Sequence, residues 1–342
     1  MKQIVENIGK FMPIHTNISE IDTKQWQQLV DNSLVASFFQ TKECYGFYAS
    51  LSFLEPFVFG ISENDKLAGV ICGYIIADGG KIKQFFSQRA IIPGGALLDE
   101  NISDEALQAL LNFTAKTLKN KAIYIEFRNY SDYSKYKTSF KESGFIYYPH
   151  LNFHISTFDL ETSFSNMKAS KRRCVRLSQK EGAEIIEIKE SIDLKAYYEL
   201  LSDLYKRKVK TPLYPYDFFE KLVQLPLGKI FAIRYNSQII GGSACVCLDN
   251  KTIYQWFLCG LDGKYKNVYP SILANWATIE YAARNHFSRF DMMGAGKPDE
   301  DYGVRIFKAE FGGTLVEHGR FLCICNKTLY KMGQLYVEKI KK

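Results

Sequence analysis

With 342 residues, the chain has room for two domains of roughly 100–200 residues each. Its 46% hydrophobic and 24% charged residues describe a folded globular protein and exclude a disordered or fibrous one. A net charge of +7 favours an anionic partner, without choosing among a nucleotide diphosphate, RNA and an anionic membrane face.

No apolar run approaches the roughly 20 residues of a membrane span, and the opening MKQIVENIGKFMP lacks a signal-peptide core, so a cytoplasmic protein is expected. The 8 cysteines include no CxxC pair and sit mostly inside apolar strands, which suits reduced core thiols and no metal. Aromatics reach 15%; most fill cores, but tyrosine-lined grooves also suit sugar or nucleotide ligands.

Trp26, Leu29 and Val30 share one helical face, and Asp31-Asn32-Ser33 ends that helix. A second helix is predicted within 37–51. Strands follow at 56–62, 67–77 and 81–88, separated by turns at 63–66 and 78–80. A helix over 104–119 leads to a buried strand at 122–127. A short helix ends at Gly144, and further strands lie near 145–158.

The second half repeats this order. Strands at 229–235, 238–248 and 252–260 precede a helix over 270–284 and a strand, Phe290 to Met293. A short helix carrying Val304, Phe307 and Lys308 stops at Gly312-Gly313, and a strand at 319–325 follows. Phe59, Ile61 and Gly69 match Phe231, Ile233 and Gly241 at one constant offset, and Phe140-Lys141 resembles Phe307-Lys308. Two copies of one α/β unit with mixed sheets are therefore expected. Their bounds are read as 1–157 and 158–327, with a terminal helix, 328–342, free to pack back on the first.

The second copy carries basic clusters that the first lacks. In 167–182, Lys168, Lys171, Arg172 and Arg176 form one helical stripe; it reads equally as a solvated face. In LYKRKVK (204–210), adjacent cations repel one another, and a docked phosphate would relieve that; Arg207, Lys208 and Lys210 are the candidate ligands, against cations favoured at a helix end. Tyr214, Tyr216, Tyr254 and Trp256 could line the adjoining groove or pack on a helix. Lys308 is the candidate catalytic cation beside Phe307, although Lys141 allows a purely structural role. Asp299, Glu300 and Asp301 form an acidic loop, and His286 and His318 show no triad pattern.

FLCG, KYKNVYPSILANWATIEYA, FDMMGAG and YGVRIFKAEFGG together resemble the Fem family of aminoacyl-tRNA-dependent transferases, and equally the Fem-like acyltransferases of the GNAT superfamily. SFFQTKECYGFY and SKRRCVRLSQKEGAEI resemble the openings of that family's two domains. The resemblance implies tandem GNAT-like domains and aminoacyl transfer from aminoacyl-tRNA to an amine of a nucleotide- or lipid-linked peptidoglycan precursor. It implies no separate cofactor, and a monomer that associates peripherally with the inner membrane face. It puts Phe307-Lys308 on the catalytic pair, Arg207 on the phosphate-gripping arginine, and Tyr254 and Trp256 on groove positions. Three departures stand: the opening motif has no lysine among Tyr45-Gly46-Phe47-Tyr48, the second unit has no long charged helical-hairpin insertion, and the Q/R-x-x-G-x-G/A loop that cradles CoA is missing. The alternatives are a CoA-thioester N-acyltransferase acting on a surface-polysaccharide sugar amine, and an inactive nucleotide-sugar-binding protein.

Overall fold

The computed structural model describes residues 3–7, 10–78 and 87–341. The chain divides into two units, residues 1–149 with 317–342, and residues 150–316. The first unit holds β1 (Gln3–Asn7), β2 (Lys10–His15), β3 (Glu55–Glu63), β4 (Lys66–Ile76), β5 (Arg89–Gly94), β6 (Leu97–Leu98), β7 (Tyr124–Asn129), β8 (Ile146–Tyr148) and, from the far end of the chain, β16 (Arg320–Ile324). They form a 9-stranded sheet in the order β1-β2-β3-β4-β5-β7-β16-β8, with β6 on β4. The second unit holds β9 (Leu151–Ser156), β10 (Glu184–Glu187), β11 (Gly228–Tyr235), β12 (Gln238–Leu248), β13 (Thr252–Gly260), β14 (Arg289–Gly294) and β15 (Thr314–Glu317). Its 7-stranded order is β10-β11-β12-β13-β14-β9-β15.

The duplication reaches backbone detail. Asn64-Asp65 closes the β3–β4 hairpin and Asn236-Ser237 closes β11–β12, all four with positive φ, as two-residue hairpin turns require. The register slips at Ile61/Ser62 in one hairpin and at Ile233/Arg234 in the other, the same place in the repeat. In each unit a 15-residue helix covers the sheet. Asp104–Leu118 is capped by Ser103 and buries Leu107, Leu110 and Leu111. Pro270–Arg284 starts on a proline and buries Leu273, Ile279 and Ala282 against a core that includes Cys245 and Cys247.

The expected bounds meet an exchange of strands. β9 ends at Ser156, inside the span assigned to the first copy, yet it is hydrogen-bonded in the second sheet beside β14. β16, assigned to the second copy, is hydrogen-bonded in the first sheet between β7 and β8. Alternating hydropathy marks a strand and its buried face; it does not say which sheet the strand joins. The terminal helix, Lys327–Lys341, belongs to the first unit, where Tyr330 meets Tyr124 edge-on at 5.4 Å. Most of the strand expected at 81–88 lies outside the described residues. No helix among the described residues is long and apolar enough to cross a membrane.

Candidate active site

In the second unit the parallel strands β13 and β14 pair only at Thr252–Arg289, Ile253–Phe290 and Tyr254–Asp291. Beyond that point β13 follows β12 to Gly260, while β14 turns along β9. The two strands part just before Met292–Gly294, the segment that Lys308 contacts. The equivalent pair in the first unit stays closed, β5 and β7 pairing from Ala90–Ile125 through Gly94–Asn129.

Across β14 and β9, Asp291 faces His154 and Gly294 faces Asn152, so Met292 and Met293 together face Phe153. This bulge re-aims the end of β14. Met293 takes φ 57°, in the left-handed region that a methionine rarely enters. As a result the carbonyls of Met292, Met293 and Gly294 converge on the Lys308 ammonium, which donates to all three, at 2.8 Å to Gly294 and 3.4 Å to Met293. Lys308 is 8% exposed. Burial pulls its pKa down to about 8, with the nearby Asp291 charge acting against that. Its look-alike Lys141 is exposed to solvent, while Phe140 stacks on Phe321 at 3.9 Å in the first core. Phe-Lys before glycine is thus common to both copies, but only the second buries the lysine.

Asp291 is 0% exposed. One carboxylate oxygen accepts the Met293 N–H at 2.6 Å, and the other lies 3.2 Å from His154 Nε2. Burial pushes this carboxyl up, but His154, Arg289 and the Met293 amide outweigh it and hold it below the usual carboxylate range. Arg305, one turn before Lys308, straps the following loop by donating to the carbonyls of Ala295, Lys297, Pro298 and Glu300.

A β-bulge at Trp256, between the Cys245–Gln255 and Ala244–Phe257 pairs, carries the aromatic residues. The extra residue puts Tyr254 and Phe257 on one face although they are three apart. Trp256 and Phe257 both reach the Phe218 ring, at 4.9 and 5.8 Å. Tyr214 joins them, 4.6 Å from Phe218 and 6.1 Å from Phe257. Tyr254 is 0% exposed and lies opposite Asp291 across β13 and β14. Burial pushes its hydroxyl up to about 12. Tyr216 stands apart, edge-on to Tyr198 in a groove of about 550 Å3 with Ile192 and Lys195.

The basic run is a π-helical turn, Tyr205–Val209, following the helix Ser191–Leu204. Such turns are rare and frequent at functional sites. Arg207 is paired with Asp203 at 2.7 Å, its side chain 77% exposed. Lys206, Lys208 and Lys210 have no ion-pair partner among the described residues, and Lys210 takes φ 55°. Tyr205 anchors the turn against Phe257 at 6.2 Å, and burial, with Tyr214 and Tyr302 nearby, pushes its hydroxyl up to about 12. Tyr302 precedes the Lys308 helix, so the basic turn lies near the start of that helix.

The other basic cluster is structural. Lys168 and Lys171 both pair with Glu310, at 2.8 and 3.0 Å, and Lys171 also lies 4.8 Å over the Phe307 ring. Arg172 caps the carbonyls of Ser165 and Met167. Asp299, Glu300 and Asp301 are exposed, with Glu300 3.3 Å from Lys297.

Residues 228–338 match the model of the FemAB family. A solved structure of FemX is 15% identical, with 91% of this chain and 98% of that one covered at a TM-score of 0.70. The fold is a tandem GNAT-like one, similar to that of FemX. The tandem GNAT protein from the clavulanic acid biosynthesis pathway is similar at 10% identity, covering 92% of this chain and 98% of that one, TM-score 0.59. L-PGS from Bacillus licheniformis is similar at 12% identity, 94% and 98% coverage, TM-score 0.57. No curated protein sequence matches this chain.

Sequence reasoning missed Asp291, His154, Arg305 and Phe257. Asp291 did leave a signal, an acid inside the apolar run FDMM. His154 left none, because its meaning depends on a strand pairing 137 residues away in sequence.

Proposed function

We propose that the protein is a Fem-type acyltransferase that moves an aminoacyl group from aminoacyl-tRNA to an amine of a peptidoglycan precursor. The observation that carries this reading is the diverging β13–β14 pair beside a buried, charged lysine, present in the second unit while the first keeps the pair closed and its lysine in solvent. The FemAB match over 228–338 spans both strands of this pair and Lys308.

The neutral acceptor amine attacks the ester carbonyl and a tetrahedral oxyanion forms. The oxyanion collapses, expelling the tRNA ribose oxygen, which takes up the proton the amine releases. A fixed cation aimed at the oxyanion acts mainly in the transition state, where one good donor contributes roughly 3–4 kcal/mol. Lys308, largely charged at pH 7 with a pKa of about 8, supplies it by exchanging one backbone carbonyl for the oxyanion. Phe307 packs beside it, 5.3 Å from Phe311. Arg207, Lys208 and Lys210 hold the acceptor diphosphate, and Tyr214 and Trp256 its sugar or base. The aminoacyl-tRNA donor and the precursor acceptor are the partners in this reading, with no separate cofactor, and the exposed basic turn suits work at an anionic membrane surface. The test is transfer from charged tRNA to a nucleotide-linked precursor by wild type and Lys308→Ala; equal rates sink the assignment.

A second reading has one observation in its favour. Among the described residues, β13 has no strand partner on its β14 side from Gln255 onward, an edge that suits an extended amide-bearing donor such as an acyl-CoA. Calorimetric titration with acetyl-CoA and with a charged-tRNA mimic separates the two, and turnover with neither donor leaves a binding protein.

A further inference from the structure

A buried carboxylate needs charges to answer it, or it takes up a proton instead. Asp291 is fully buried and still held below the usual carboxylate range, so it is an anion in the folded protein. Several charged or titratable groups face it: His154 from β9, Arg289 from β14, Tyr254 from β13 and Lys308 from the helix Gly303–Ala309. Arg305, on the same helix, is occupied by the carbonyls of the 295–300 loop.

Asp291 acts on Lys308 in two ways. It fixes the bulge: its bond to the Met293 amide, 2.6 Å, holds the φ of 57° that turns the carbonyls of Met292, Met293 and Gly294 onto the ammonium. It also supplies a negative charge against the burial that drives Lys308 toward its neutral form. His154 Nε2 lies 3.2 Å from the same carboxylate.

We propose that Asp291 positions the Lys308 ammonium and keeps it charged, through the Met293 turn it holds and the charge it places beside the lysine. The consequence for rate rests on the acyl-transfer reading; the placement of charge does not. Replacing the Asp291 carboxylate by a neutral acceptor must then lower the Lys308 proton equilibrium even where the turn survives, which a merely structural role does not do.

The test is competitive labelling of the intact protein with trace acetic anhydride from about pH 6 to 11, following the Lys308 peptide by mass spectrometry. Asp291→Asn keeps the acceptor for the Met293 amide and removes the charge. Its Lys308 midpoint is expected to fall by about one pH unit or more. An unchanged Lys308 midpoint in Asp291→Asn overturns the proposal. If Asp291→Asn does not fold, Asp291→Ser, smaller and still an acceptor, is read the same way, a fall supporting the proposal and no fall overturning it. A wild-type protein that labels as expected but transfers no acyl group sinks the acyl-transfer reading and leaves this one standing.

Discussion

At the scale of single residues, the site turns on how Lys308 is buried. Its proton is held less tightly in the fold, at about 8, than in the unfolded chain, whose value is 10.5. Between those values the unfolded state binds more protons, so the stability attributable to this group rises with pH. Activity that needs the cation falls over the same range. We therefore expect kcat to decline above about pH 8, while the difference in melting temperature between wild type and Lys308→Met shifts in favour of wild type. Lys308→Met should lose on the order of 10²–10³ in kcat, as for removal of one oxyanion donor. Arg207 is the opposite case. Its pair with Asp203 is exposed and worth at most about 1 kcal/mol, so Arg207→Ala should leave the melting temperature unchanged and raise KM for the diphosphate acceptor. An unchanged KM would remove the basic turn from the site.

Elements hold these residues through backbone choices that can be broken one at a time. Gly312, just past the Lys308 helix, has φ 82°, and a Cβ there would stand 2.2 Å from the Asn166 carbonyl oxygen. Gly312→Ala should cost at least about 1 kcal/mol in chemical denaturation, from a disfavoured conformation plus a backbone clash. In the first sheet, Glu126 on β7 pairs with Arg128 at 2.8 Å and with Arg320 of β16 at 2.7 Å. Burial pushes its carboxyl up, but the two guanidinium groups prevail and hold it at about 2, below 4.5 in the unfolded chain. A depressed carboxylate gives stability that is present above 4.5 and lost as pH falls toward 2. We expect roughly 2–3 kcal/mol of acid-sensitive stability, absent from Glu126→Gln and visible as a flatter unfolding curve below pH 4.5.

On the scale of the whole molecule, each sheet contains a strand taken from the far side of the repeat boundary. Residues 1–157 alone lack β16, and 158–327 alone lack β9. Neither fragment should unfold cooperatively by circular dichroism, since the first loses the strand between β7 and β8 and the second the strand between β14 and β15. A cooperative 1–157 fragment would contradict this. The sequence by itself determined the repeat, the hairpins, the covering helices and the place of Phe307-Lys308, because periodicity, turn residues and helix stops are written within a dozen neighbouring positions. It could not separate Lys308 from Lys141, since identical local chemistry ends in solvent in one copy and under three carbonyls in the other. Only the tertiary structure decided which strand joins which sheet, where β13 parts from β14, and that His154 meets Asp291. Those outcomes follow from hydrogen bonds and burial between segments far apart in the chain, and no local pattern of residues encodes such a meeting.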